Sequence, residues 1–295
     1  MKKRLYHIIL PAPIVLLLLM LSCTAPRQHD ERVVSVTILP QQYLAEQIAG
    51  ERFDIHCVVP LNSNPEAYDP TPEQLMAVEG SEAYLRVGML GFEMAWMDRL
   101  VRNNPDMKVY DTSIGVYMIE NEHTHTHGNG VVHATHTVDP HIWCSPRNVR
   151  VMAQNMYNAF VELDPEGTEY YRRNYNALIQ RVDSVDSVLT DILQPHRGAA
   201  FAIYHPSLTY LARDYGLQQL CIEQAGKESS ARAMKQVVEQ ARAADVAVVF
   251  VQKEFDSRQV VTFAQEVDAP VVTINPLNYD WVEEMINIAN AIARE

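Results

Sequence analysis

Two histidines and one glutamate stand where a metal-binding protein would place its ligands. Glu66 lies in Leu61-Asn-Ser-Asn-Pro-Glu-Ala-Tyr-Asp-Pro70, directly after an apolar run that ends at Pro60. His141 lies in Val138-Asp-Pro-His-Ile-Trp143, and His205 follows the run Ala200–Tyr204 at once. Neutral imidazoles and a carboxylate suit Zn(II), and also Mn(II) or Fe(II). Each residue alone admits a plainer role. Glu66 could be a solvated loop carboxylate, His141 a half-buried structural histidine beside Pro140 and Trp143, and His205 a helix cap. The joint pattern favours a shared ion, because ligands of open α/β sheets bind outside the carboxyl ends of strands. Segment 120–138 adds His123, His125, His127, His133 and His136, five of the eleven histidines. It has no helical stripe and reads as a mobile surface loop of metal-binding composition. Its expected role is low-affinity metal capture or sensing, against a solvated tract with no role. No enzymatic motif of the G-x-S-x-G, H-E-x-x-H or G-x-G-x-x-G kind is present. Gly226-Lys227 does not make a phosphate loop, since Cys221 stands where the first glycine should be and Glu228 follows the lysine.

Those residues must be held by strands and helices. Short apolar, β-branched runs recur at Val33–Leu39, Ile55–Val59, Tyr84–Val87 and Lys108–Tyr110, then at Ala200–Tyr204, Gln219–Ile222, Val246–Val251 and Val271–Ile274. Several are continuously apolar, as strands buried on both faces of a parallel sheet are. Helical stretches alternate with them. Gln41–Ala49 stops at Gly50, and Thr71-Pro72-Glu73 reads as an N-cap followed by proline in the first turn. The remaining helices are expected over Phe92–Asn103, Ser207–Tyr215, Ser230–Ala243, Arg258–Glu266 and Trp281–Ala293. Two groups of four strand–helix pairs suggest two α/β lobes. Between them Tyr171, Tyr175, Leu178, Val182, Val185, Leu189 and Ile192 recur at alternating intervals of four and three, a one-sided helical stripe. Glycine and proline are absent from Thr168 to Gln194. A helix of that length is about 40 Å long and forms a stiff connection between lobes. The expected division is 33–166 for the first lobe, 167–195 for the linking helix and 196–295 for the second lobe.

Composition narrows the function further. Of 295 residues, 47% are apolar and 21% charged, which fits a folded globular protein rather than a disordered one. The formal charge of −13 argues against a nucleic-acid partner held through phosphates. Residues 1–22 read as an export signal, with Lys2, Lys3 and Arg4 ahead of the apolar run Ile14–Leu21. That run is too short to span a bilayer. Met20-Leu21-Ser22-Cys23 looks like a bacterial lipobox, which makes Cys23 the expected lipidation site and 23–32 a polar tether. Acyl chains would anchor the protein without crossing the membrane. Cleavage would leave 21 cations against 37 anions, a net charge of −16. Cys57, Cys144 and Cys221 remain, and three thiols allow at most one disulfide. Small buried residues in strands or turns are the expectation for all three, with no pair among them chosen.

The sequence resembles the metal-binding lipoproteins of ABC importers for zinc and manganese, the zinc-importer type in particular. The resemblance runs from about residue 33 to 294. It is carried by Asp139-Pro-His-Ile-Trp143 with Ser145-Pro146, by Pro65-Glu-Ala-Tyr-Asp-Pro-Thr-Pro72, by Gly91-Phe-Glu-Met-Ala-Trp-Met-Asp-Arg-Leu100, and by Tyr204-His-Pro206 leading to Arg213-Asp-Tyr-Gly-Leu217. A histidine-rich loop just before the Asp-Pro-His motif is typical of zinc members. The resemblance implies two four-stranded α/β lobes joined by one long helix, with the metal in the cleft between them. It implies His141 and His205 as ligands, and Glu66 where the family usually has a histidine. The family's fourth ligand, an acid after the last strand, is replaced here by Asn275 in Ile274-Asn-Pro-Leu277. Asp280 or a water are the other candidates for that place. The expected function is capture of Zn(II), with Mn(II) or Fe(II) as alternatives, outside the cytoplasm by a lipid-anchored monomer that delivers the ion to an ABC permease. Competing expectations are a zinc hydrolase, since three protein ligands with an open position suit catalysis, and a metal-dependent adhesin.

Overall fold

The computed structural model describes residues 32–126, 132–223, 230–255 and 258–294, and for 121–137 the backbone only where it is described. The export signal, Cys23, the tether and Gly226-Lys227 lie outside the described residues.

The first sheet contains β1 (Val33–Val36), β2 (Asp54–Cys57), β3 (Ala83–Arg86) and β4 (Lys108–Asp111), all parallel, in the order β2-β1-β3-β4. A second parallel sheet contains β7 (Ala200–Ile203), β8 (Gln218–Cys221), β9 (Val249–Gln252) and β10 (Val271–Ile274), in the order β10-β9-β7-β8. Numbered within each group of four, both sheets share one order, second-first-third-fourth. The chain therefore builds the same α/β arrangement twice. Each strand predicted from the sequence is present, shifted by a few residues at its ends. Central β7 and β9 are buried throughout, which explains their unbroken apolar runs.

Helices α1 (Leu39–Ala49), α2 (Pro72–Glu79) and α3 (Gly91–Asn103) connect the first sheet. Thr71 caps α2 as Thr71-Pro72 predicts, and Gln74 adds the return bond of a reciprocal capping box. Helix α4 (Pro146–Leu163) is an addition to the elements expected from sequence. Ser145 caps it by accepting from the Asn148 N–H, and its buried face is Val149, Met152, Ala153, Met156, Ala159 and Phe160. Small alanines and soft methionines make that stripe less conspicuous than one of leucines. The long helix α5 (Thr168–Leu193) follows, burying Tyr171, Leu178, Val182, Val185, Leu189 and Leu193. The second lobe adds α6 (Thr209–Tyr215), α7 (Ala231–Ala243), α8 (Arg258–Val267) and α9 (Trp281–Ile292).

One hydrophobic core runs through both lobes, from Val34 and Leu85 through the α5 stripe to Phe201, Trp281 and Ile288. Helix α5 packs on α1, α4 and α9, and so ties elements of both halves to one rod. The histidine-rich segment departs from expectation. It forms an antiparallel hairpin, β5 (Glu120–Thr126) with β6 (Val132–Val138), rather than an irregular loop. Thr and His alternate through much of β5, and β6 mixes Val and Ala with His and Thr, so neither strand shows the continuous apolar run of the sheet strands. Cys57, Cys144 and Cys221 are free thiols, with Cys144 fully buried. Burial pushes the Cys57 and Cys221 thiols up to about 12, so both are protonated at neutral pH.

Candidate metal centre

Glu66, His141 and His205 meet in the cleft between the sheets, with one ligand atom of each lying within 4.8 Å of the others. The Nε2 atoms of His141 and His205 are 3.2 Å apart. Glu66 Oε1 lies 3.6 Å from His141 Nε2 and 3.4 Å from His205 Nε2. Tetrahedral ligands at the usual zinc bond lengths are separated from one another by about 3.3 Å. The three atoms thus outline one triangular face of such a site.

Each side chain is fixed from behind. His141 sits in the turn before the short 3-10 helix Ile142–Cys144, and its Nδ1 lies 2.9 Å from Asp139 Oδ1, which also accepts from the His141 backbone N–H. His205 follows β7, and its Nδ1 is 2.7 Å from Glu223 Oε1 at the end of β8. With their Nδ1 atoms engaged by these carboxylates, both rings present Nε2 toward Glu66, as a lone pair wherever the imidazole is neutral. Phe255 stacks on the His205 ring, and Gln252 donates to the His205 carbonyl at 2.6 Å. The Glu66 N–H donates to Asn64 Oδ1, and Phe92 N–H donates to the Pro65 carbonyl. Gly91 lies so close beneath this loop that a Cβ there would come within 2.0 Å of the Glu66 carbonyl oxygen. Only glycine permits that approach.

The electrostatics are those of a cation site awaiting its charge. Both histidines are buried, and Glu66 is the half-exposed member through which solvent reaches the cluster. Burial alone would raise the Glu66 carboxyl. The hydrogen bond from His205 and the charges of both histidines outweigh it and hold Glu66 below its ordinary range. Burial would lower His205, but its hydrogen bonds to Glu223 and Glu66 dominate and push it up to about 10. His205 is therefore protonated at neutral pH without metal, and Glu66, His141 and His205 are the residues that would hold a cation in place of that proton.

Of the candidates for a fourth ligand, Asp280 is exposed and caps α9 by accepting from Glu283 N–H, so it does not join the cluster. Asn275 is buried, with its N–H donated to Glu284 and its amide oxygen without a partner among the described residues. The carboxylates behind the histidines, Asp139 and Glu223, escape a ligand search by residue type. Asp139 was detectable as the acid two residues before His141, and Glu223 as the acid ending the strand run beside β7.

The model of the zinc-uptake complex component A periplasmic family, ZnuA, matches residues 34–295. The chain belongs to this family. A solved ZnuA structure superposes with a TM-score of 0.81 at 34% identity, covering 90% of this chain and 98% of that one. A zinc-bound ZnuA deletion mutant gives 0.79 at 34% identity, covering 90% and 100%. The high-affinity zinc uptake system protein ZnuA of Bacillus subtilis is 24% identical over 86% of this chain and 81% of its own. The manganese ABC transporter substrate-binding lipoprotein PsaA of Streptococcus mitis is 24% identical over 77% of this chain and 74% of its own. The two-lobed α/β fold inferred from strand runs is the fold of the solved ZnuA. The family is one of substrate-binding transport proteins, in which the metal is cargo rather than a resident cofactor.

Proposed function

We propose that this protein captures Zn(II) outside the cytoplasm with Glu66, His141 and His205 and hands it to the permease of an ABC importer. One observation carries the ligand assignment. Two imidazole Nε2 atoms whose Nδ1 protons are engaged by carboxylates face each other at 3.2 Å with a carboxylate across from them. Three acceptors so arranged repel unless a proton or a cation sits among them. Ligands drawn from both lobes make binding favour the closed cleft. Residues 33–166 and 196–295 then act as the two lobes, with 167–195 as the rod that joins them. Export by residues 1–22 and acylation of Cys23 would keep a monomer beside its permease, a placement supported by the lipoproteins among its relatives.

The test strips the protein of metal and titrates Zn(II), Mn(II) and Fe(II) into wild type and into Glu66→Ala, His141→Ala and His205→Ala. The expected result is tightest binding of zinc, lost or strongly weakened in each variant. Wild-type affinity in all three would remove the assignment.

A further inference from the structure

The carboxyl edge of the second sheet carries one acid that the three-residue cluster leaves unused. Strand β9 ends at Gln252, and Glu254 follows two residues later. It lies between two residues that touch His205. Gln252 donates to the His205 carbonyl and to Ser207 Oγ, and Phe255 stacks on the His205 ring with centroids 5.1 Å apart. Pairing of β9 with both β7 and β10 sets this turn between the His205 loop and the Asn275 loop, and Lys253 N–H donates to the Ile274 carbonyl. Burial raises the Glu254 carboxyl above its ordinary range, and the imidazoles of His205 and His141 partly oppose that rise. Its Oε2 is buried and has no hydrogen-bond partner among the described residues. A buried carboxylate oxygen without a donor is unfavourable unless an ion or a water reaches it.

We propose that Glu254 is the fourth ligand of the transported ion, a carboxylate supplied from β9 in place of the acid missing at Asn275. This rests on the three-ligand reading above. Its oxygens stand outside the 4.8 Å cluster, so the side chain turns inward when the ion arrives. Two carboxylates and two neutral imidazoles cancel the charge of a dication in a partly dehydrated cleft. The resulting two-nitrogen, two-oxygen set is harder than a histidine-rich one and is more tolerant of Mn(II) beside Zn(II).

The experiment compares metal-stripped wild type, Glu254→Gln, Glu254→Gln with Asn275→Asp, and His205→Ala. Zinc affinity is read by chelator competition, and Co(II) visible absorption reports the coordination shell directly. Glu254→Gln keeps the shape and removes the carboxylate, and thermal unfolding without metal checks that it folds. The expected result is zinc binding weakened roughly 10–100-fold, a shifted Co(II) spectrum, and recovery of both by Asn275→Asp. Weakened affinity with an unchanged Co(II) spectrum would make Glu254 an electrostatic neighbour and overturn the proposal. Unchanged binding in Glu254→Gln with loss in His205→Ala overturns the fourth ligand while sparing the three-residue site. Unchanged binding in both variants overturns both.

Discussion

At His205 two carboxylates compete for one ring. Glu223 holds Nδ1 and Glu66 faces Nε2, and together they push the imidazole up to about 10 in the metal-free protein. An arriving ion must displace that proton. Zinc binding at pH 7.5 is therefore expected to release about one proton, measurable by calorimetry in buffers of different ionisation enthalpy. Apparent affinity should keep rising with pH well above the ordinary imidazole range, instead of levelling off there. The metal-free fold has the opposite dependence. A raised folded-state value means the His205 contribution is fully present below the unfolded value of about 6.5 and is lost as pH rises toward 10. Thermal unfolding of the stripped protein between pH 7 and 10 should show a falling midpoint, whereas an unvarying midpoint would contradict the His205 assignment.

The β3–α3 turn is the element that sets Glu66. Glu93 in the first turn of α3 is fully buried and accepts from Val87 N–H at 2.7 Å and Gly88 N–H at 2.8 Å, which fastens the helix to the strand end. Gly91 then supports the Glu66 loop from below. Gly91→Ala puts a methyl against a backbone carbonyl and must displace that loop. Zinc affinity should fall about tenfold or more, a 1 Å misplacement of a ligand being costly, while far-UV dichroism stays that of wild type. The β5–β6 hairpin is a separable element. Glu120 and Val138 are register partners at its base, so residues 121–137 can be replaced by a two-residue turn. The tight site, assembled from loops outside the hairpin, is expected to keep its affinity, with only weaker zinc equivalents lost in the titration. A large loss of tight binding would make the hairpin part of the site.

Across the molecule the two halves are laced as well as joined. Trp143 Nε1 donates to the Pro276 carbonyl and Trp281 Nε1 donates to the Trp143 carbonyl, both at 2.8 Å and both buried. Tyr210 donates to the Asp139 carbonyl at 2.7 Å, which ties the second lobe to the turn that bears His141. With α5 as a continuous rod in the shared core, removal of metal should relax the cleft only slightly. Small-angle scattering of loaded and stripped protein should give the same radius of gyration within error. Trp281→Phe leaves a buried carbonyl without its donor and should destabilise the metal-free protein by about 1–3 kcal/mol, read by denaturant unfolding.

Strand runs, the α5 stripe and the cap at Thr71 were legible along the chain because period and punctuation are local properties. They determined two α/β lobes and a long helix, and the joint pattern of Glu66, His141 and His205 on loops marked them as candidate ligands. Helix α4, with its alanines and methionines, and the polar hairpin gave weaker local signals and emerged with the fold. What only tertiary structure decided was distance. Glu223 behind His205, Gly91 beneath Glu66 and Glu254 beside the cleft are 18, 25 and 49 residues from the groups they touch or face. Pairing of parallel strands brings such residues together at one sheet edge, and no linear spacing records which loops share that edge.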